Sequence, residues 1–126
     1  MIENLETKLS KIVDEKSIIP KPETDKIFRV LRFGKRRNEK ALIYSRPNNK
    51  DTSKHYEKGV TITEFQIAHN ELIKNGCITR SWFKKNLINC AEEGGCNFTT
   101  IGGIFELLRE AKYSAKGIYI SERKDE

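Results

Sequence analysis

The chain has 126 residues, 37% hydrophobic and 33% charged, with 24 Lys/Arg against 18 Asp/Glu and a net charge of +6. That suits one ordinary domain with its own core and excludes a disordered chain. No run approaches the roughly 18 apolar residues of a membrane span, and residues 1–10 lack the apolar stretch of a signal peptide, so a soluble cytoplasmic protein is expected.

The elements follow in chain order. Ile2, Leu5, Leu9 and Ile12 recur at spacings of three and four, which predicts a helix over residues 1–17 with one narrow apolar stripe. Such a stripe suits docking on the same domain or pairing with a second copy as a homodimer. Pro20 and Pro22 end it, and residues 18–25 read as an extended linker.

Residues 26–59 form a basic hairpin and loop. Ile27 to Phe33 and Ala41 to Tyr44 are β-rich runs separated by Gly34-Lys35-Arg36-Arg37-Asn38-Glu39, and the polar run from Arg46 to Gly59 reads as a loop. Residues 26–58 hold eleven Lys/Arg and three acids, a net of +8, so the rest of the chain sums to −2. Charge gathered on one segment beside a neutral remainder points to a polyanionic partner; the alternative is a solvated hairpin.

The remaining elements are helical until the end. Thr61 or Thr63 caps a helix carrying Phe65, Ala68, Leu72 and Ile73, which stops at Asn75-Gly76. Thr79 or Ser81 starts a second, over residues 79–91, with Trp82, Phe83, Leu87, Cys90 and Ala91 inward; Gly94-Gly95 stop it. Thr99 or Thr100 caps a third, over residues 99–111, with Ile101, Ile104, Phe105, Leu108 and Ala111 inward. Residues 112–117 read as a turn, 118–120 as a short strand, and 122–126 as a charged tail.

Three helices, a turn and a strand, ending in Ile104-Phe105-Glu106-Leu107-Leu108, Tyr113 and Gly117-Ile118-Tyr119-Ile120, resemble a winged helix-turn-helix DNA-binding domain. The resemblance covers about residues 61–120, within a unit expected over residues 60–121. It implies one recognition helix and a wing, with the front hairpin free to supply the missing strands of the wing's sheet. The expected fold is therefore α+β: an N-terminal helix, a basic β-hairpin and a three-helix winged-helix-like unit with a short C-terminal strand, in a single domain.

Two helices compete for the recognition role. The one over residues 79–91 offers Arg80, Lys84, Lys85 and Asn86, and Arg and Asn bond base edges while Lys suits phosphates. The one over residues 99–111 holds the usual recognition position but offers mainly Thr99 and Thr100, whose helix start also suits a backbone phosphate. With Arg36, Arg37, Lys40 and Arg46 of the hairpin these complete the candidate binding set. Plain structural roles stand beside this reading: a wet helix face for Arg80, Lys84 and Lys85, and close packing for Gly102-Gly103.

Other chemistry finds little support. Cys77, Cys90 and Cys96 are odd in number and form no C-x-x-C pair, and neither His55 nor His69 stands at zinc-finger spacing from them. No cofactor motif or catalytic constellation is present, so no enzyme, metal or cofactor is expected. The expected function is nucleic-acid binding, duplex DNA first, in a small regulatory or accessory protein associated with the nucleoid. The alternatives are a protein-interaction module, with the hairpin meeting an acidic surface, and a DNA-binding piece of a restriction or mobile-element system.

Overall fold

The structure, a computed structural model, describes residues 4–47 and 55–122, and of His55 the backbone alone. The chain divides into two compact units, Met1–Thr63 and Glu64–Glu126. Both helices and strands are present, in an α+β arrangement. Helix α2 (Ile62–Asn75) begins within the last residues of the first unit. No described helix is long and apolar enough to cross a membrane.

In the first unit, helix α1 (Leu5–Glu15) precedes strands β1 (Ile18–Ile19), β2 (Phe28–Arg36), β3 (Glu39–Pro47) and β4 (His55–Thr61). The four strands pair antiparallel in the order β1-β2-β3-β4. Asn4 caps the helix by accepting from the Thr7 amide at 2.8 Å, and Lys16 ends it in the left-handed region at φ 49°. Leu9, Ile12 and Val13 are buried and Leu5 is half-buried. Leu9 and Ile12 are therefore already covered within this chain and present no open seam to a second copy; Ile2 lies outside the described residues.

The expected linker is partly a strand. Ile18 and Ile19 pair with Arg29 and Phe28, and the Lys21 ammonium stands 4.2 Å from the centre of the Phe28 ring. The hairpin turn is also tighter than expected. β2 runs on through Arg36, leaving Arg37-Asn38 as a two-residue turn with φ 52° and 63°. Positive φ at both central positions matches the right-handed twist of the flanking strands. Asn38 accepts that conformation readily, whereas Arg37 is held in it by the closing pair Arg36↔Glu39. The polar run after Arg46 is partly a strand as well, since β4 pairs along β3 from Pro47↔His55 to Ala41↔Thr61. Asn48, Asn49, Lys50, Asp51 and Lys54 lie outside the described residues.

The second unit carries most of α2, then β5 (Cys77–Thr79), α3 (Arg80–Asn86), α4 (Ile88–Glu93), α5 (Cys96–Leu107), β6 (Ala111–Ala115) and β7 (Ile118–Ser121). Its three strands pair in the order β5-β7-β6, with Ile78 opposite Tyr119 and Tyr113 opposite Tyr119 on the other side. Thus β7 takes its partners from β5 and β6, not from the front hairpin. The expected helix over residues 79–91 is two helices, broken at Leu87 (φ −118°, ψ 58°). The expected third helix starts earlier, at Cys96, and ends earlier, so Ala111 opens β6, and Lys112 to Ala115 are strand rather than turn.

An aromatic chain holds this unit together. Phe83, Phe98 and Tyr119 are buried, with ring centres 5.6 Å apart for the first pair and 5.5 Å for the second, and Tyr113 lies 5.6 Å from Tyr119. Helix α5 is apolar on nearly every side, and eight of its residues are buried. Gly102 faces the Tyr119 ring so closely that a Cβ there would fall inside it.

Candidate nucleic-acid interface

Alternation along β2 and β3 sorts the hairpin cations onto two faces. Arg36 shares a face with its partner Glu39, whereas Lys35, Lys40 and Arg46 project from the other. Arg46 stands opposite Tyr56, six residues along β3 from Lys40, or about 20 Å at strand rise. Arg36, Arg37, Lys40 and Arg46 therefore do not converge on one spot.

What does converge is the hairpin end. Lys35 lies directly opposite Lys40, a like-charge pair that weakens a sheet locally. Lys40 is compensated: its ammonium meets the Glu6 carboxylate at 2.7 Å and lies 4.4 Å from the centre of the Phe33 ring. Lys35 is exposed and has no charged partner among the described residues. Glu39 accepts from the Thr63 hydroxyl at 2.6 Å. The end of the hairpin thus carries Lys35, Arg36 and Arg37 around one already engaged carboxylate.

The opposite sheet face has its own basic row. A bulge between Val30 and Arg32 shifts the register, so Arg29 pairs with Ser45 and Arg32 with Ile43. Arg29 and Arg32, three apart, then share a face with Arg36. The bulge is tied by the end of α1: the Lys16 ammonium donates to the Leu31 carbonyl at 2.8 Å, and Arg29 donates to the Lys16 carbonyl at 3.0 Å. Arg32 donates to both carboxylate oxygens of Glu57, at 2.5 and 3.2 Å. These hydrogen bonds hold the Glu57 carboxyl below its ordinary range; partial burial opposes the shift, and the charges of Arg32 and Arg36 add to it. Arg29, Arg32 and Glu57 were not among the sequence candidates; strict alternation places Arg32 on the face of Arg36 but Arg29 on the other, and only the bulge brings Arg29 over.

In the second unit α3 has one exposed basic face. Thr79 caps it, accepting from the Trp82 amide at 3.0 Å, and Lys84, Lys85 and Asn86 lie exposed. Arg80 belongs to the scaffold instead. Its guanidinium donates to the Gly95 carbonyl at 3.0 Å and sits 4.9 Å from the centre of the Phe98 ring, while its amide donates to the Gly117 carbonyl at 2.9 Å. That last bond ties the start of α3 to the β6–β7 turn, where Lys116 is exposed; Lys112, at the other end of β6, is exposed too. Sequence reading passed over both lysines because it placed them in a plain turn.

Thr100 is fully buried, so it makes no phosphate contact, and Thr99 donates its hydroxyl to the Cys96 carbonyl at 3.2 Å. With Asn97 buried and donating to the Cys90 carbonyl at 2.8 Å, the start of α5 is packed inside the unit. Of the two competing helices, α3 offers solvent-facing polar groups and α5 does not. No three His, Cys, Asp or Glu side chains among the described residues group as a metal site would.

Comparison with family models, with curated proteins and with solved structures finds no match to this chain.

Proposed function

We propose that the chain binds nucleic acid, duplex DNA foremost, as a small regulatory or accessory protein. The observation that carries this reading is the hairpin end. Lys35 opposes Lys40 next to Arg36 and Arg37, and while Glu6 compensates Lys40, Lys35 has no charged partner among the described residues, which leaves a residual cost at the sheet end. A phosphate backbone offsets that cost, and a two-stranded ribbon fits a major groove.

Two further facts support it. The first unit holds fifteen Lys/Arg against nine acids, and the second nine against nine, so the excess belongs to the hairpin-bearing unit. The second unit runs helix, strand, helices, strand, strand, with sheet order β5-β7-β6, in keeping with the winged-helix resemblance. Within it Lys84, Lys85 and Asn86 of α3, with Lys116 at the wing turn, form the contact surface; α5 serves as core.

Fluorescence anisotropy against a mixed-sequence duplex tests this. The logarithm of affinity should fall linearly with the logarithm of salt, by about 0.9 per phosphate contact. Arg37→Ala should weaken all duplexes alike, whereas Asn86→Ala should change the preference between sequences. Absence of duplex binding in the micromolar range at low salt would sink the reading and leave an acidic protein surface as the hairpin's partner.

A further inference from the structure

Resting on that reading, we infer that Arg32 and Arg36 form a phosphate-binding fork on the outer sheet face of the first unit, and that Glu57 is its built-in competitor. Three independent features of the backbone prepare the site. Arg32, Gly34 and Arg36 fall on one face by plain alternation, and the bulge at Leu31 brings Arg29 onto that face as well. Gly59 leaves a notch in which the Arg36 stem lies: a Cβ there would stand 2.7 Å from Arg36 Cγ and 2.9 Å from Ile43 Cδ1. Arg36 is thereby laid along the sheet and half-buried rather than extended into solvent. Gly34 leaves the matching space on the other side of Ile43, where a Cβ would stand 2.9 Å from Ile43 Cγ1.

The Arg32 arm of this fork holds a carboxylate from the same chain, while the Arg36 guanidinium donates to the Lys35 carbonyl at 2.9 Å. Glu57, on β4, is reached by Arg32 of β2 across the intervening β3, and both its oxygens are bonded. Planar guanidinium donors match carboxylate and backbone phosphodiester alike, each with one negative charge and two free oxygens, so the two compete for the same donors. Both partners are about half-exposed, at 55% and 47%, so an incoming group reaches them from solvent. Because Arg32 keeps the Glu57 carboxyl charged down to acidic pH, protonation does not empty the fork near neutrality; displacement by a competing anion does.

Exposed ion pairs of this type add little to stability, so exchanging one for a ligand contact asks little of the fold. The effect is a threshold. A lone weak anion leaves Glu57 in place, whereas a polyanion held by the hairpin end presents its phosphates at high local concentration.

The test uses the full chain and four variants: Glu57→Gln, Arg32→Lys, the two combined, and Glu23→Gln as a control for lost negative charge. Glu57→Gln should tighten duplex binding by about three- to tenfold at moderate salt, the range that loss of a weak competing pair allows. That gain should vanish in the Arg32→Lys background, which keeps the charge but loses the fork, and Glu23→Gln should give less than about twofold. In parallel, arginine Nε–Hε NMR signals are followed during titration with inorganic tripolyphosphate. Those of Arg32 and Arg36 should shift, and at lower concentration in Glu57→Gln. Equal gains from both glutamate variants, a gain that survives Arg32→Lys, or silent arginine signals overturn the inference. If no variant binds duplex, the nucleic-acid reading fails by itself, and the tripolyphosphate titration still decides whether the fork exists.

Discussion

Replacing Gly102 by Ala should destabilise the second unit although it improves helix propensity. The new Cβ would lie inside contact of Tyr119 Cε2, Cζ and Cδ2. Tyr119 is fully buried and its ring is flanked by Phe98 and Tyr113 with centres 5.5 and 5.6 Å away, so it has nowhere to move without disturbing both. Forcing a methyl into a packed core costs about 1–3 kcal/mol, and rigid aromatic neighbours place this site at the upper end. The propensity gain of Ala over Gly returns about 1 kcal/mol. A net loss of about 2 kcal/mol corresponds to a fall in melting temperature of roughly 10 °C for a unit of this size. Circular dichroism melts of the full chain measure it, with Gly102→Ala/Tyr119→Leu as a partner experiment. Shrinking the ring should make the double variant lose less than the two single losses combined. A Gly102→Ala protein that melts at or above the parent temperature would refute the packing of α5 on β7 described above.

The other expectations are simpler. Thr79→Ala removes the acceptor that caps α3 and should cost about 1 kcal/mol in a urea titration. Asn97→Ala leaves the buried Cys90 carbonyl without this donor and should cost about 1–3 kcal/mol by the same measure. Lys35→Ala should separate stability from binding: it relieves the repulsion facing Lys40 and raises stability by up to about 0.5 kcal/mol, while duplex affinity falls. The Glu57 carboxyl is lowered in the folded protein, so its contribution is present above its unfolded value and lost as pH falls through the folded one. Comparing acid titrations of the parent and Glu57→Gln should therefore show a shallower acid limb in the variant, and identical limbs would contradict the Arg32–Glu57 geometry.

Much of the fold was legible where one period dominated. The α1 stripe, the runs of β2 and β3, and the Thr79 cap all follow from local pattern, because burial and capping act within a few residues. The failures have physical causes. β4 alternates weakly, with Tyr56 exposed and Gly59 in mid-strand, since one of its sides meets β3 and the other is a sheet edge. The break at Leu87 has no Pro or Gly to announce it, and α5 begins at Cys96 without a side-chain cap. The candidate site fared unevenly for the same reason. Lys84, Lys85 and Asn86 stand exposed on the outer face of a helix as read, whereas the place of Arg29 beside Arg32 and Arg36 depends on a bulge that no residue type signals.

Arg80 sets a limit on how the second unit answers any contact. One residue holds the β6–β7 turn by its amide and the loop before α5 by its guanidinium, while its own backbone begins α3. Pressure on the β6–β7 turn is thus passed to the lysine-bearing helix as by a rivet through three plates. Whatever grips Lys116 also fixes the aim of Lys84 and Lys85, and neither surface is free to evolve a tilt of its own while that arginine stays.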